Sequence, residues 1–225
     1  MSKLICNHSI VNIYKKPNFG SELVSQILFG EEFCYISKYR NFYYGFSNYD
    51  KYYGYVLIKN LKKNNIKKTH RIKSKEVNLF SKPNKKDKIC QKIFFNSKIS
   101  ITKKKGKFLS IHNYWIEKKD VKLIKKENNF LKNIKIFLNT KYLWGGNTIN
   151  GIDCSGLVQE LMKSISQKCP RDSKDQNNYF KKKIPFKDIE SGDLLFWKGH
   201  VAIAINKKKL VHAFGPKKKS FNNAN

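Results

Sequence analysis

The sequence predicts a multidomain chain in which two small β-barrels, at residues 1–65 and 68–125, precede an α+β domain at residues 127–225. Three observations predict this fold class. In the first segment, short β-branched and aromatic runs alternate with glycine and proline, which is typical of small antiparallel barrels. The second segment repeats that plan. Helical spacing of apolar residues is found only in the third segment.

The first segment contains five strand-like runs, SIVNIY, SELVSQILFG, EEFCYIS, NFYYGFS and YYGYVLI, separated by Pro17, Gly20, Gly30, Gly45 and Gly54. In the second segment, VNLFSKPN echoes VNIYKKPN with the same spacing into a polar turn. The stretch KISITKKKGKFLSIHNYWIEKKDVKLI follows it and supplies further strands. The echo indicates an internal duplication.

The chain carries a formal net charge of +31, which ordinarily indicates nucleic acid or another anionic partner. Only three of its 47 basic residues are arginines, whereas proteins that recognise bases and phosphates favour the arginine fork. The lysines lie in runs interspersed with asparagine and isoleucine. We therefore interpret them as a solvated surface and expect no nucleic-acid partner, with an anionic partner as the lesser alternative.

The first residues, MSKLICNHSIVNIYKKPN, hold one lysine and then only two- or three-residue apolar runs. That is too little for a signal peptide or a membrane span, so we expect a cytoplasmic protein that does not enter membranes. Five scattered cysteines, without a CxxC pair, indicate reduced thiols rather than zinc ligands or a disulfide framework.

Two helices are predicted in the third segment. The stretch NNFLKNIKIFLNTKYLWGG spaces its apolar residues at helical intervals and then stops at paired glycines. A helix of about three turns is predicted to begin at Cys154. Its apolar face consists of Leu157, Val158, Leu161 and Ile165.

Cys154 is therefore predicted to lie at a helix N-terminus. There the backbone N–H groups and the positive end of the helix dipole favour the thiolate, and the same N–H groups can receive the oxyanion of a tetrahedral intermediate. Gly145, Gly146 and Gly156 are expected to leave room for a substrate. The alternative is that Cys154 is a small buried hydrophobe, a common environment for a free cysteine.

Two histidines fall on the predicted hairpin SGDLLFWKGHVAIAINKKKLVHAF. If residues 206–208 form a three-residue loop, His200, Ala202 and His212 share one face, and the two histidines are diagonal neighbours with backbones roughly 7–8 Å apart. A four-residue loop would place the histidines on opposite faces. They could also be ordinary half-buried strand residues.

A helix-borne cysteine followed by a histidine on an antiparallel sheet resembles the papain-like arrangement. The stretches YLWGG…GIDCSGLVQ, CPRDSKDQ, SGDLLFWKGHVAIAI and LVHAF resemble the NlpC/P60 cysteine peptidases of bacterial peptidoglycan, over residues 128–215. YYGYVLIKNL and NYWIEKKDVKLI resemble the final strands of bacterial SH3-type domains. The resemblance thus implies two SH3-like β-barrels followed by an α+β papain-like catalytic domain. Within this family, the chain resembles the subgroup of γ-D-glutamyl-L-diamino acid endopeptidases, also called dipeptidyl-peptidase VI.

Carried over residue by residue, the resemblance makes Cys154 the nucleophile, His200 the general base and His212 the residue that orients it. It implies that Asp153 and Ser155 hold the L-alanyl end of the substrate. Their alternative roles are a helix cap and a first-turn polar residue.

The resemblance also places Tyr142 beside the nucleophile, where the alternative is a core aromatic residue. Glu31 and Tyr52 correspond to residues that read the free α-amine of the substrate; a solvated hairpin glutamate and a packing tyrosine are the alternatives. Arg171, in CPRDSKDQ, also matches the family, but the sequence gives it no mechanism beyond a loop salt bridge.

The function implied is that of a monomeric cysteine endopeptidase that cleaves free murein peptides of the L-Ala-γ-D-Glu-diaminopimelate type during cell-wall turnover or recycling. It implies no cofactor and no metal. The sequence ends 13 residues after His212, where the family adds further strands, so the domain looks short at its C-terminus. The alternative is therefore a catalytically impaired protein that binds wall peptides.

Overall fold

The computed structural model describes residues 2–63 and 66–215. The chain divides into two compact units, Met1–Ile124 and Lys125–Asn225. The predicted boundary at residue 65 and the predicted shortness of the C-terminus, which concerns residues 216–225, both lie outside the described residues. The finer division of the first unit at residues 65 and 68 stays a prediction.

The first half of the first unit is an antiparallel sheet. Its strands are β1 (Ser2–Cys6), β2 (Ile10–Tyr14), β3 (Leu23–Leu28), β4 (Glu32–Tyr39), β5 (Phe42–Ser47), β6 (Tyr53–Leu57) and β7 (Leu61–Lys62). They are hydrogen-bonded in the order β3-β2-β6-β5-β4-β1-β7. The five predicted runs overlap β2 to β6, with β4 extending two residues beyond its run, whereas β1 and β7 were not predicted. The alternating apolar residues enclose a core of Leu4, Cys6, Val11, Ile13, Ile27, Phe33, Val56 and Leu61.

The second half contains β8 (His70–Ile72), β9 (Glu76–Phe80), β10 (Ile89–Phe94), β11 (Lys98–Ile99), β12 (Lys103–Lys105), β13 (Phe108–Ile111), β14 (Tyr114–Glu117) and β15 (Val121–Leu123). These strands form two sheets, in the orders β10-β9-β14-β13-β12 and β11-β8-β15. In both halves, a 3₁₀ helix, Ile58–Asn60 or Lys118–Asp120, precedes the last strand.

The second half repeats the pairing order of the first. Strand β9 pairs with β10 and β14 as β2 pairs with β3 and β6. The long strand β4 corresponds to the two short strands β11 and β12, so one sheet in the first half becomes two sheets in the second. The repeated order is what the echo in the sequence would produce. Closure of either half into a barrel stays a prediction.

The second unit combines helices with a small sheet. Its elements are a 3₁₀ helix (Leu131–Ile136), β16 (Asn147–Thr148), β17 (Gly151–Ile152), α1 (Cys154–Ser164), α2 (Ser173–Tyr179), a 3₁₀ helix (Phe186–Asp188), β18 (Leu194–Trp197), β19 (His200–Asn206) and β20 (Lys209–Val211). The sheet order is β18-β19-β20, and α1 packs against β19. None of the described helices is both long and apolar enough to span a bilayer.

The first predicted helix differs from the observed one. It is a 3₁₀ helix that ends at Ile136, well before the paired glycines. Asn139 adopts φ 64°, in the left-handed region, and this conformation stops a right-handed helix. The apolar spacing correctly predicted a helix in this stretch, but it could not predict that the helix is a 3₁₀ helix or that it ends at Ile136.

The second predicted helix is confirmed. Helix α1 begins at Cys154 and runs for 11 residues, or three turns. Its predicted apolar face is buried, and so is its polar face. There Lys163 Nζ lies 2.8 Å from Glu160 Oε1, and Gln159 donates to the Cys169 carbonyl at 3.1 Å. These partners let a helix with polar residues be buried on all sides.

The hairpin has the predicted register near the histidines but a different turn. Ile203 lies opposite Val211 and Ala204 opposite Leu210, as the three-residue loop requires. Asn206, rather than Ile205, then pairs with Lys209 across an irregularity, so the predicted three-residue loop is wrong. The Asn206 side chain accepts hydrogen bonds from the Lys208 and Lys209 amides, at 2.8 and 2.9 Å, and this tightens the turn.

Candidate active site

The thiol of Cys154 lies at the start of α1, where Asp153 is the N-cap. The Asp153 side chain accepts a hydrogen bond from the Gly156 amide, which is the usual contact of a capping aspartate. The Cys154 thiol is buried and hydrogen-bonded to the backbone of Val201 and of Ser155. Because Val201 directly follows His200, the thiol faces the start of strand β19.

The protonation of this thiol differs from the expectation. Burial, followed by the negative charge of Asp153, raises the pKa of Cys154 above its ordinary value, although the backbone hydrogen bonds and Arg171 act in the opposite direction. Burial also lowers the pKa of His200. Burial thus shifts the pKa of this thiol in the direction opposite to the one expected from the helix N-terminus.

The two histidines meet directly. His200 Nε2 lies 2.7 Å from His212 Nδ1, and the rings are arranged edge to face with centroids 5.0 Å apart. The prediction that both imidazoles share one face is confirmed, and the four-residue alternative is excluded. Since His212 occupies Nε2 of His200, Nδ1 is the His200 nitrogen available for proton exchange with another group.

Aromatic rings surround the histidine pair. Phe214 stacks on His212 at 5.3 Å with an interplanar angle of 17°, and it approaches His200 edge-on at 5.9 Å. Trp197 lies directly opposite His200 in the β18–β19 ladder, with ring centroids 5.9 Å apart. Sequence reasoning missed both residues. The i, i+2 spacing of His212 and Phe214 was the available signal, since such residues share a face of an extended chain.

Asp153 and Ser155 belong to a buried polar cluster that includes Arg171. The Arg171 guanidinium donates to Asp153 Oδ1 at 2.9 Å and to Oδ2 at 2.6 Å, as a bidentate pair. It also donates to Ser155 Oγ at 3.0 Å, and Asp153 Oδ2 accepts from the Gly145 amide at 2.8 Å. These contacts correspond to the capping and polar-packing alternatives, and a direct contact of Asp153 or Ser155 with a substrate stays a prediction.

Gln176 connects the loop that carries Arg171 to the helix. Its side-chain amide donates to the carbonyls of Ser155 and Pro170, both at 2.9 Å, and it is fully buried. The stretch CPRDSKDQ thus fixes the first turn of α1. Sequence reasoning matched this stretch to a family but gave it no such role.

The glycines near Cys154 do not provide substrate space as expected. A Cβ atom on Gly146 would lie 2.4 Å from the Gly151 carbonyl oxygen, and one on Gly156 would lie 2.5 Å from the Gly146 oxygen. Both positions therefore need glycine because the chain packs against itself. Gly145 adopts φ 73°, which favours glycine for a conformational reason instead.

Tyr142 lies beside this cluster. It forms a parallel β-bridge with Ile152, two residues before Cys154. Burial, with smaller effects from Asp153 and Cys154, raises the pKa of Tyr142 to about 12. The phenol is therefore within electrostatic reach of the thiol, and its contact with a substrate stays a prediction.

Glu31 and Tyr52 lie in the first unit. Glu31 follows β3 and is buried, so the alternative of a solvated glutamate is wrong. Its Oε2 accepts from the Leu28 amide at 3.0 Å, and Lys98 Nζ lies 4.0 Å from its Oε1. Tyr52 is half-buried in the turn before β6, with its amide bonded to Asp50 Oδ1 at 3.2 Å. Their proposed role in reading an amine is not tested by these contacts.

Two family models match this chain. The NlpC/P60 family model matches residues 139–224, and the model for the bacterial dipeptidyl-peptidase Sh3 domain matches residues 13–61. This chain carries an NlpC/P60 domain. NlpC/P60 proteins are cysteine peptidases, and the matched region contains Cys154, His200 and His212. The second SH3-like domain stays a prediction.

Several peptidases and one solved NlpC/P60 structure are similar to this chain. A dipeptidyl-peptidase 6 of Lysinibacillus sphaericus is 26% identical over an alignment that covers 91% of this chain and 84% of the relative. A gamma-D-glutamyl-L-lysine dipeptidyl-peptidase of Bacillus subtilis is 38% identical, but over 34% of this chain and 28% of its own length. The crystal structure of an NlpC/P60 family protein from Bacillus cereus has a TM-score of 0.86 at 18% identity, covering 97% of this chain and 92% of that one. This likeness concerns the fold.

Proposed function

We propose that this chain is a cysteine endopeptidase that hydrolyses the γ-D-glutamyl–diamino acid bond of free murein peptides. We place the reaction in the cytoplasmic recycling of wall peptides. The observation that carries the proposal is the hydrogen-bonded pair of His200 and His212. Cys154 begins helix α1, and its thiol is hydrogen-bonded to the backbone of Val201, the residue after His200. A general base that is itself oriented by a third polar group is the arrangement that activates a nucleophile.

In the proposed acylation, a neutral thiol meets a neutral imidazole, as the raised pKa of Cys154 and the lowered pKa of His200 favour. His200 Nδ1 takes the proton of Cys154 while the sulfur attacks the γ-carbonyl carbon of D-glutamate. The carbonyl π electrons move to oxygen, and the oxyanion is stabilised at the N-terminus of α1. There the Gly156 and Leu157 amides are already bonded to Asp153, so we assign the Cys154 amide as a donor to the oxyanion.

Collapse of the intermediate breaks the C–N bond. The imidazolium of His200 gives its proton to the departing amine of the diamino acid, and an acyl thioester on Cys154 remains. A water molecule then gives a proton to His200 Nδ1 and attacks the thioester carbon. The C–S bond breaks, the proton returns to the sulfur, and L-Ala-D-Glu is released with a free γ-carboxylate.

His212 supports both steps as a hydrogen-bond acceptor. When His200 is a base, Nε2–H donates to His212 Nδ1, which holds the His200 proton on Nε2 and keeps Nδ1 free to accept. When His200 is an imidazolium, the same bond stabilises its charge. His212 must be neutral at Nδ1 throughout.

The substrate class rests on the relatives and on the first unit. Proteins similar to this chain are named as dipeptidyl-peptidases of γ-D-glutamyl-L-lysine peptides or as dipeptidyl-peptidase 6. Glu31 offers a buried carboxylate that would attract an ammonium group. We therefore assign Glu31 and Tyr52 to the free α-amine of L-alanine, and Tyr142, Asp153 and Ser155 to support of the scissile dipeptide.

The test is incubation of the purified chain with L-Ala-γ-D-Glu-meso-diaminopimelate, with mass spectrometry of the released L-Ala-D-Glu. The variant Cys154→Ala serves as the matched control, and the L-lysine tripeptide tests the third residue. Release by the wild type alone would support the peptidase and its nucleophile. A folded wild type that binds the tripeptide without cleaving it would replace the proposal with the binding-protein alternative.

A further inference from the structure

Phe214 contacts both members of the histidine pair. Its ring stacks on His212 with centroids 5.3 Å apart and meets His200 edge-on at 5.9 Å. Strand β20 ends at Val211, so His212 lies just beyond the strand. The register of the hairpin sets the face on which His212 lies, and the orientation of its imidazole plane depends on side-chain packing.

The hydrogen bond between the histidines has a strict geometric requirement. The Nδ1 lone pair of His212 lies in the plane of its ring, and hydrogen bonds weaken steeply when their angles depart from linearity. The χ2 torsion of histidine is broad, so it does not define the ring plane by itself. A stacked ring with an interplanar angle of 17° does define that plane.

We propose that Phe214 is a positioning residue for the peptidase reaction, because its ring fixes the plane of His212 and, through His212, the orientation of His200. This inference rests on the proposed function, in which His200 exchanges protons with Cys154. Phe214 has no group that could exchange a proton, so its effect is on geometry. Trp197 contacts His200 from strand β18 and is about half exposed.

The test compares Phe214→Leu, which keeps apolar volume but cannot stack, with Phe214→Tyr, which can. Phe186→Leu is the matched control, because Phe186 is 78% exposed in the same unit. Two properties are measured: the long-range ¹H–¹⁵N spectra of His200 and His212 without substrate, and kcat and KM for the tripeptide.

We expect Phe214→Leu to lower kcat about tenfold with KM unchanged, the upper range for one aromatic contact. Its spectra should lose the pattern of the hydrogen-bonded imidazole pair, while Phe214→Tyr and Phe186→Leu keep it. In the wild type, the stacked ring should shift the His212 ring protons upfield. If Phe214→Leu does not fold, the wild-type spectrum still tests the proposal. Absence of the upfield shift would show that Phe214 does not stack on His212 and would overturn the positioning role.

The two proposals fail separately. Cleavage of the tripeptide with wild-type kcat and histidine spectra in Phe214→Leu would overturn the positioning role and leave the peptidase intact. Altered histidine spectra in Phe214→Leu, together with an inactive wild type, would support the positioning of the pair while the peptidase proposal fails.

Discussion

Replacing Arg171 with methionine should destabilise the second unit by about 3 kcal/mol. The Arg171 and Asp153 side chains are 1% and 7% exposed, and their bidentate contact has N···O distances of 2.9 and 2.6 Å. Breaking a buried pair costs about 3–5 kcal/mol because it leaves an uncompensated charge. We take the lower end, because the Gly145 and Gly156 amides would still donate to the carboxylate.

Urea unfolding followed by tryptophan fluorescence measures this loss. In a Trp115→Phe background, Trp144 and Trp197 report on the second unit alone. With a slope of about 1–1.5 kcal/mol per M, the midpoint should fall by roughly 2–3 M. The unfolding midpoint of Arg171→Lys should lie between those of the wild type and Arg171→Met, since an ammonium keeps the charge but cannot make the same bidentate contact.

The control for that experiment is Lys168→Met, which removes an exposed cation three residues away. Its midpoint should stay within about 0.5 kcal/mol of the wild type. A loss below 1 kcal/mol for Arg171→Met, or equal losses for Arg171→Met and Lys168→Met, would refute the reasoning that the fork stabilises the start of α1.

Three further predictions concern the chemistry. His212→Leu should lower kcat about a hundredfold and His212→Asn less than tenfold, because the amide oxygen can still accept from His200; equal losses in steady-state assays would contradict this. The rate at which iodoacetamide alkylates Cys154, measured by peptide mapping, should keep rising above pH 9.0, because the pKa of the thiol is raised. The acidic limb of kcat/KM should lie below pH 6.5, because the pKa of His200 is lowered. An alkylation rate that does not change between pH 5 and pH 8 would instead indicate a thiolate–imidazolium pair. Glu31→Gln should raise KM about tenfold for free-amine peptides but not for N-acetylated ones, and equal effects on both would disprove amine recognition.

The Cys154 helix and the histidine register could be predicted from local patterns. Apolar residues at i, i+4 and i+8 located α1, and the alternation of strand residues placed His200 and His212 on one face. Both features depend on periodicities of the backbone, which the sequence carries directly. The two-residue turn was missed because it depends on the side-chain contacts of Asn206 with the following amides.

The polar cluster around Asp153 could not be predicted in the same way. Its arginine follows 18 residues later, and the pairing depends on how a loop folds back. Composition did hold a signal. Lysine is the usual cation of this chain, and two of its three arginines, Arg71 and Arg171, are buried, whereas Arg40 is exposed. An arginine in so lysine-rich a chain was therefore a signal for a buried, hydrogen-bonded cation at two of three positions.

The raised pKa of Cys154 connects this cluster to the chemistry. A capping aspartate directly before the nucleophile stabilises the helix, but its charge also raises the pKa of Cys154, whereas Arg171 lowers it. Arg171 therefore offsets, at the thiol, the charge that the cap introduces. A folded Arg171→Met variant should consequently alkylate at Cys154 more slowly than the wild type at the same pH. Unchanged alkylation with a lowered unfolding midpoint would mean that Arg171 acts on the fold alone.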